Sequence, residues 1–516
     1  MVPYRPEPLT NFGDSGEEAK LKQAIAAVTR KLGSRYPLWI GGRPVDTARR
    51  IVSINPSDGR QVVGESAKAD ALLAERAVTA AHRSFADWSR TAPDRRAEYL
   101  LKAAAMLRRR KAEFTAWLML EAGKSRVEAD ADAAEAIDFL EYYARQMLEL
   151  VERGRSGLVR LAGEKNELAY IPLGAGVIIA PWNFPLAILA GMTAAAVVSG
   201  NTVVVKPSSL TPVIAYKFVE LMADAGLPEG VISLAAGDGS VIGDVLVEHP
   251  MTRFIAFTGS REVGVRIHEL AARVQPGQRW LKRFIGELGG KDAILVDEDA
   301  DLEAAARAIV RSAFGYAGQK CSACSRAIVH RAVYREVLDR TIELTRGLKV
   351  GGVLEDGIDV GPVIDEAACA RIEGYFELAK REGKLVLGGK RIARPGYYLE
   401  PTIVADVPPS ARIMQEEVFG PLLACTPCAD FEDGLRIAND TEYGLTGAVF
   451  SNNRAHLARA AAEFHVGNLY LNRGCTGAIV GVHPFGGFNM SGTDSKAGGP
   501  DYLMQFTQAK LTSELL

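Results

Sequence analysis

The chain has 516 residues, 48% of them hydrophobic and 24% charged. That is enough for two large domains or about three ordinary ones, with cores that need no disulfide or structural metal. Its 61 Lys and Arg against 63 Asp and Glu leave a net charge of −2, which excludes a general nucleic-acid or membrane-surface binder, since either needs a basic excess.

In chain order, a polar start leads into a helical segment over 17–32, then short strands at PLWIGGRPVD (37–46) and RIVSINPSDG (50–59). From 69 to 150 the pattern is helical, with Leu100, Ala104 and Leu107, then Ile137, Leu140, Ala144 and Met147, on single helix faces. The polar, alternating stretch 153–170 predicts a projecting hairpin. Beyond it the chain alternates: strands GVIIAP (176–181), TVVVKP (202–207), VISLAAG (231–237) and RFIAFTG (253–259), with helices at 186–199, 212–225, 240–248 and 261–273. A second series follows, with strands DAILVD (292–297), SRAIVH (325–330), YLEPTIVAD (398–406) and GAVFS (447–451). Short Val/Ile-rich runs separated by single helices describe an α/β protein with parallel sheets. The most apolar stretch, Val177 to Val205, is broken by Pro181, Asn183, Pro185 and Asn201, short of the roughly 20 clean residues of a membrane span. Six cysteines are sparse, and MVPYRPEPLT lacks an export-signal pattern, so a reducing, cytoplasmic location is expected.

Three motifs mislead. AGKS (122–125) resembles the end of a phosphate-binding loop, but Leu118 stands where that loop needs Gly, and the preceding segment is helical. GDGSVIG (237–243) has the wrong spacing for a dinucleotide fingerprint. Cys321/Cys324 and Cys425/Cys428 are two CxxC pairs, much farther apart than the roughly 15–20 residues of a zinc ribbon, so no metal is expected.

The informative segment is FGYAGQKCSACSR (314–326). A lone Cys is ordinarily a small buried apolar residue, but Cys321 lies in a turn of small residues before a strand, as an exposed nucleophile would. Three other segments end or join strands: APWNFP (180–185) with Asn183, KPSSLTP (206–212) with Lys206, and GELGGK (286–291) with Glu287 before a flexible Gly pair. Open α/β sheets bind ligands at strand C-terminal ends. A thiol, an amide donor, a lysine and a carboxylate at such places form a reaction set.

Taken in order, PWNFP, KPS, FTGS (257–260), ELGGK, GQKC and EEVFGP (416–421) resemble the aldehyde dehydrogenase superfamily over nearly the whole chain. The resemblance implies oxidation of an aldehyde to a carboxylic acid with NAD or NADP. Cys321 would attack the aldehyde, Asn183 and the Cys321 backbone N–H would hold the oxyanion, and Glu287 would activate the water that hydrolyses the thioester. Lys206 would add positive potential. None of the seven His falls in these motifs, which counts against a Cys–His hydrolase. For the cofactor, Ser260 and the following helix would take pyrophosphate, with Gly264 allowing close approach. Ile179, Trp182 and Lys206 would line the adenosine side near Gly239, and Glu417 and Phe419 would hold the nicotinamide ribose and ring. Ser209 stands where many NAD-preferring members carry a Glu against the adenosine ribose. NAD use with NADP tolerated is therefore expected.

Within the superfamily, FHVGNLYLNRGCTGAIVGVHPFGGFNMSGTDSKAGGPDYL (464–503), AEAIDFLEYYAR (134–145) and AARVQPGQRWLKRFIGELGGKD (271–292) most resemble the branch that oxidises L-glutamate γ-semialdehyde to L-glutamate in proline degradation. That resemblance implies a substrate carboxylate on the Gly477 and Ala478 N–H groups and the Ser322 hydroxyl. Phe184 and Phe485 would flank the aliphatic chain, and Glu135 would stand at the pocket wall. His483 and Cys475 depart from the usual pattern. The alternative substrate is another small aldehyde such as succinic semialdehyde. Family architecture implies a nucleotide-binding domain (1–152 and 172–286), a catalytic domain (287–482), and an oligomerisation flap of 153–171 with the tail 483–516. Such a flap implies a homodimer, or a higher homo-oligomer such as a hexamer.

Overall fold

The computed structural model describes residues 3–516. Strands such as Ala175–Ile179, Thr202–Lys206 and Asp292–Val296 are buried along their whole length, as strands covered by helices on both faces must be. They build two seven-stranded sheets. The first runs Arg283–Glu287, Phe254–Thr258, Ala175–Ile179, Thr202–Lys206, Ile232–Leu234, Leu38–Ile40, Arg43–Val45. Its first five strands are parallel, and Leu38–Ile40 runs antiparallel to both of its neighbours. Ala175–Ile179 has its successor Thr202–Lys206 on one side and the later Phe254–Thr258 on the other, so the strand order reverses there. Such a reversal opens a crevice beyond the C-terminal ends.

The second sheet runs Lys384–Leu387, Thr402–Ala405, Leu422–Cys428, Cys324–His330, Asp292–Val296, Thr446–Phe450, Asn468–Leu471. All are parallel except the first. The link between the sheets is short: Glu287 ends the last strand of the first and Asp292 begins a central strand of the second.

The helical stretch 69–150 is four helices: Ala71–Trp88, Pro93–Arg109, Lys111–Ala122 and Arg126–Ser156. Pro93 starts the second, where its missing N–H costs nothing. Gly123, at φ 66, ends the third in the left-handed conformation, and the Ser125 hydroxyl caps the fourth on the Glu128 N–H. The first expected strand, 37–46, is a hairpin turned by Gly41 and Gly42 at φ 62 and 82.

The expected hairpin at 153–170 is not formed. The helix continues through Ser156, and strand Glu164–Pro172 pairs antiparallel with the C-terminal strand Thr507–Leu515, from Pro172 opposite Thr507 to Glu164 opposite Leu515. The alternation was real, but the partner lies far along the chain, where local pattern carries no signal. Among the described residues no helix is long and apolar enough to cross a membrane.

Candidate active site

A cleft of about 990 Å³ lies at the C-terminal ends of Ala175–Ile179, Thr202–Lys206 and Phe254–Thr258 and reaches Cys321. Ile179, Trp182, Asn183, Lys206, Ser209, Ser260, Glu417 and Phe419 all line it. The strand order therefore places these residues, from both α/β series, around one space.

Backbone strain delivers the nucleophile. Helix Leu302–Phe314 gives way to Tyr316 and Ala317, both at φ 53, and Gly318 at φ 69. Two non-glycine residues in the left-handed region cost about 1–3 kcal/mol each and persist only where surroundings hold them. Gln319 does that holding: wholly buried, it donates to Tyr316 O and Pro362 O at 3.2 and 3.3 Å and accepts the Ile364 N–H at 2.9 Å. Asn183 donates through Nδ2 to the Gln319 carbonyl at 3.0 Å. A primary amide carries two N–H groups, so this one is fastened to the nucleophile loop with a second donor to spare.

The Gly pair after Glu287 is rigidly used, contrary to its reading as flexible. A Cβ on Gly289 would meet the Glu417 carboxylate at 2.3 Å, and one on Gly290 the Cys321 carbonyl at 2.3 Å. The Gly290 N–H also donates to Glu417 at 3.0 Å. Glycine is required here for close approach.

Burial dominates the electrostatics. It pushes the Cys321 thiol well above its ordinary range, and the carboxylates Asp292, Glu417 and Glu287 push it further. Glu287 is raised to about 8 by burial, against the opposing bonds from the Ser495 hydroxyl and the Gly487 N–H. Burial also raises Asp292 to about 8 and lowers Lys291 to about 7. Burial therefore holds Cys321, Glu287 and Asp292 mainly in their neutral forms at neutral pH and leaves Lys291 divided between its two.

The lysine at the end of Thr202–Lys206 plays another part. Burial lowers Lys206 to about 8, Asp238 is the charge that opposes this, and its nearest acceptor is Pro207 O at 3.4 Å. The charges that act most on Cys321 are the carboxylates Asp292, Glu417 and Glu287, while Lys206 and Cys321 line the same cleft.

The cofactor end fits a dinucleotide. Ser260 precedes helix Arg261–Ala272 without capping it, and Ser260, Arg261, Glu262 and Val263 all line the cleft, so the helix's first N–H groups face an anion site. Ser209 bonds weakly to Gly237 O at 3.4 Å and brings no carboxylate. Trp182 and Phe419 meet edge to face at 5.4 Å.

Three expected placements are corrected. Gly239 is exposed at the start of a π-turn and does not line the cleft. Gly264 is buried; a Cβ there would meet Leu288 at 2.2 Å, so its small size seats the helix on the protein. Glu287 is turned toward Ser495 and Gly487 and is absent from the cleft wall.

The expected substrate contacts fall in three places, none on the wall of that cleft. The Cys475 thiol donates to Ser322 O at 3.4 Å, joining Ser322 to the turn of Gly477 (φ 79) and Ala478. Phe184 lies beneath the Lys124 ammonium, and Glu135 is raised to about 8 by burial and by Asp132. Phe485 exchanges backbone bonds with Ala497 at 2.8 and 2.7 Å. His483 accepts the Ile479 N–H at 3.2 Å. The sequence reading assigned no role to Asp292, Lys291, Gln319 or Lys124, although all four lay inside quoted segments, Lys124 in the rejected AGKS and Asp292 at the start of DAILVD.

Comparison with known proteins agrees with this geometry. Residues 44–512 match the model of the aldehyde dehydrogenase family. The chain is 58% identical over 515 residues to 1-pyrroline-5-carboxylate dehydrogenase of Geobacillus kaustophilus, covering 100% of both chains. It is 56% identical over 513 residues to the Bacillus subtilis enzyme of that name, covering 99% of each. A crystal structure of 1-pyrroline-5-carboxylate dehydrogenase from Thermus with bound NAD superposes with a TM-score of 0.97 at 49% identity, covering 100% of both chains. The chain belongs to the aldehyde dehydrogenase family.

Proposed function

We propose that this chain oxidises L-glutamate γ-semialdehyde, the opened form of 1-pyrroline-5-carboxylate, to L-glutamate with NAD in proline degradation. The observation that carries the reading is the Asn183 amide fastened to the loop of Cys321 inside a cleft that ends at an open helix N-terminus. Full-length identity to enzymes named for that substrate supports the choice of aldehyde.

The Cys321 thiol passes its proton to water in the cleft, and its sulfur bonds to the aldehyde carbon. The carbonyl electron pair moves onto oxygen, where the free Asn183 N–H and the Cys321 backbone N–H stabilise it. Bound NAD would supply the hydride acceptor and a positive charge. The helix beginning at Arg261 would take its pyrophosphate, and Lys206 and Glu417 would take its ribose hydroxyls. The acyl group is then a thioester on Cys321. Glu287 takes a proton from water, the water oxygen bonds to the acyl carbon, and the sulfur leaves as glutamate is freed. Gly477, Ala478 and Ser322, drawn together through Cys475, hold the far carboxylate.

The nucleotide lies with 1–152 and 172–286 and the chemistry with 287–482. The exposed strand Thr507–Leu515 with Leu511, Leu515 and Leu516 supports assembly of a homodimer or larger homo-oligomer. We place the enzyme in the cytoplasm. The test is kcat/KM with NAD for L-glutamate γ-semialdehyde against succinic semialdehyde. A preference of at least about 10-fold for the former is expected, because a site built for polar groups rejects a substrate lacking one. Equal or better use of succinic semialdehyde overturns the assignment.

A further inference from the structure

The AGKS turn at 122–125, no phosphate loop, packs behind the nucleophile. Between the helix-ending Gly123 and the capping Ser125, Lys124 is wholly buried. Its ammonium donates to Asp132 Oδ2 at 2.8 Å, with both side chains 0% exposed. Asp132 Oδ1 in turn accepts the Ala187 N–H at 2.7 Å, at the start of helix Ala187–Val198. The same ammonium lies over two rings, 3.8 Å from the Phe184 centroid and 4.8 Å from that of Tyr316. The Tyr316 hydroxyl donates to Ala122 O at 2.7 Å, a second tie to the same turn.

Each ring belongs to one half of the reacting pair. Phe184 follows Asn183, and Tyr316 opens the left-handed turn that leads to Cys321. A buried ion pair is weak evidence of stability, because apolar residues of the same volume pack as well. A cation within reach of two ring faces attracts both, and so ties together the loops that carry them. Burial lowers Lys124 and raises Asp132, and the attraction and bond between them oppose both shifts; Glu128, paired with Lys320 at 2.7 Å, and Glu135 are the other charges near the pair.

We infer that Lys124 is a positioning residue, which sets the Asn183 amide against Cys321 by holding the Phe184 and Tyr316 rings on one buried ammonium. The inference rests on the proposed roles of Cys321 and Asn183.

The test is Lys124→Met/Asp132→Asn in the full-length enzyme, which removes both charges so that no unpaired ion is left buried. The melting temperature, KM for NAD and kcat are measured, together with the rate at which iodoacetamide alkylates Cys321. Alkylation is displacement at a saturated carbon and develops no oxyanion, so it reads the thiol apart from its alignment. A folded variant with kcat down about 100-fold, and with alkylation and KM for NAD within about threefold of wild type, is expected from a misplacement near 1 Å. A kcat within about threefold of wild type overturns the inference, as does an alkylation rate that falls as far as kcat. Should the double variant not fold, Tyr316→Leu takes one of the two rings from the Lys124 ammonium and leaves the Lys124–Asp132 pair in place. About a 10-fold loss of kcat with unchanged alkylation is then expected, and unchanged kcat overturns the inference. Failure of the underlying reading is seen separately, as wild-type enzyme that stays active after Cys321 is alkylated.

Discussion

The two ends of the cleft are built on opposite principles. At the cofactor end, Ser260 and the N–H groups of helix Arg261–Ala272 face open space, and Ser209 makes only one weak bond. At the reacting end, Cys321, Glu287, Asp292 and Lys291 are desolvated, and each is shifted toward its neutral form. A dinucleotide brings its own charges and needs donors already aligned. A carbonyl under attack needs groups that exchange protons during the cycle; burial brings Glu287 and Lys291 near neutral pH and holds Cys321 as the thiol. Lys206 marks the boundary, buried like the second group but answering to Asp238 in the first.

The sharpest way to break the comparison is Cys321→Ser. Aldehyde oxidation should fall at least about 10⁴-fold, since losing a nucleophile removes the whole covalent route. NAD binding, measured by titration, should be unchanged. Loss of both together would mean the two ends are not separate.

Glu287→Gln should slow turnover about 10²–10³-fold, the usual worth of a general base, while leaving a burst of NADH because acylation survives. In wild type, deacylation should climb as pH rises toward about 8 and level above it, as the base form of Glu287 fills. A profile already flat at pH 6 would contradict the buried-acid account. Ala478→Asp should cost about 100-fold in kcat/KM for the semialdehyde, because it sets like charges together, and should leave KM for NAD alone. Equal damage to both would remove the proposed carboxylate anchor.

The remaining effects are smaller. Ser209→Glu should raise the NAD-to-NADP preference about 10-fold, since one added carboxylate faces a 2′-phosphate. A native NAD-to-NADP preference of a thousandfold or more would refute the reading of Ser209. Asp292 is raised from 3.8 to about 8 in the fold. The stability its buried acid form contributes is therefore complete below about pH 4 and gone once pH passes about 8. Asp292→Asn should leave the melting temperature unchanged at pH 4 and raise it by about 2 °C at pH 9.

Much of this was legible in the chain. The parallel strands announce themselves as Val/Ile runs such as TVVVK, and Cys321, Asn183, Lys206 and Ser260 sit at strand or helix ends where a sheet presents ligand contacts. What stayed hidden depends on distant partners. No local pattern pairs Glu164–Pro172 with Thr507–Leu515, which only the family resemblance had joined in one flap, and Gly289 and Gly290 are small because of Glu417 and the Cys321 carbonyl. Lys124 reads as an ordinary charge until Asp132, Phe184 and Tyr316 close around it.

The central claim is most directly tested by mass spectrometry of Glu287→Gln enzyme quenched during turnover with NAD and L-glutamate γ-semialdehyde. The account predicts a glutamyl adduct on the peptide that carries Cys321 and on no other cysteine. An enzyme that makes NADH with no adduct there, or with one on Cys324 or Cys475, would contradict it.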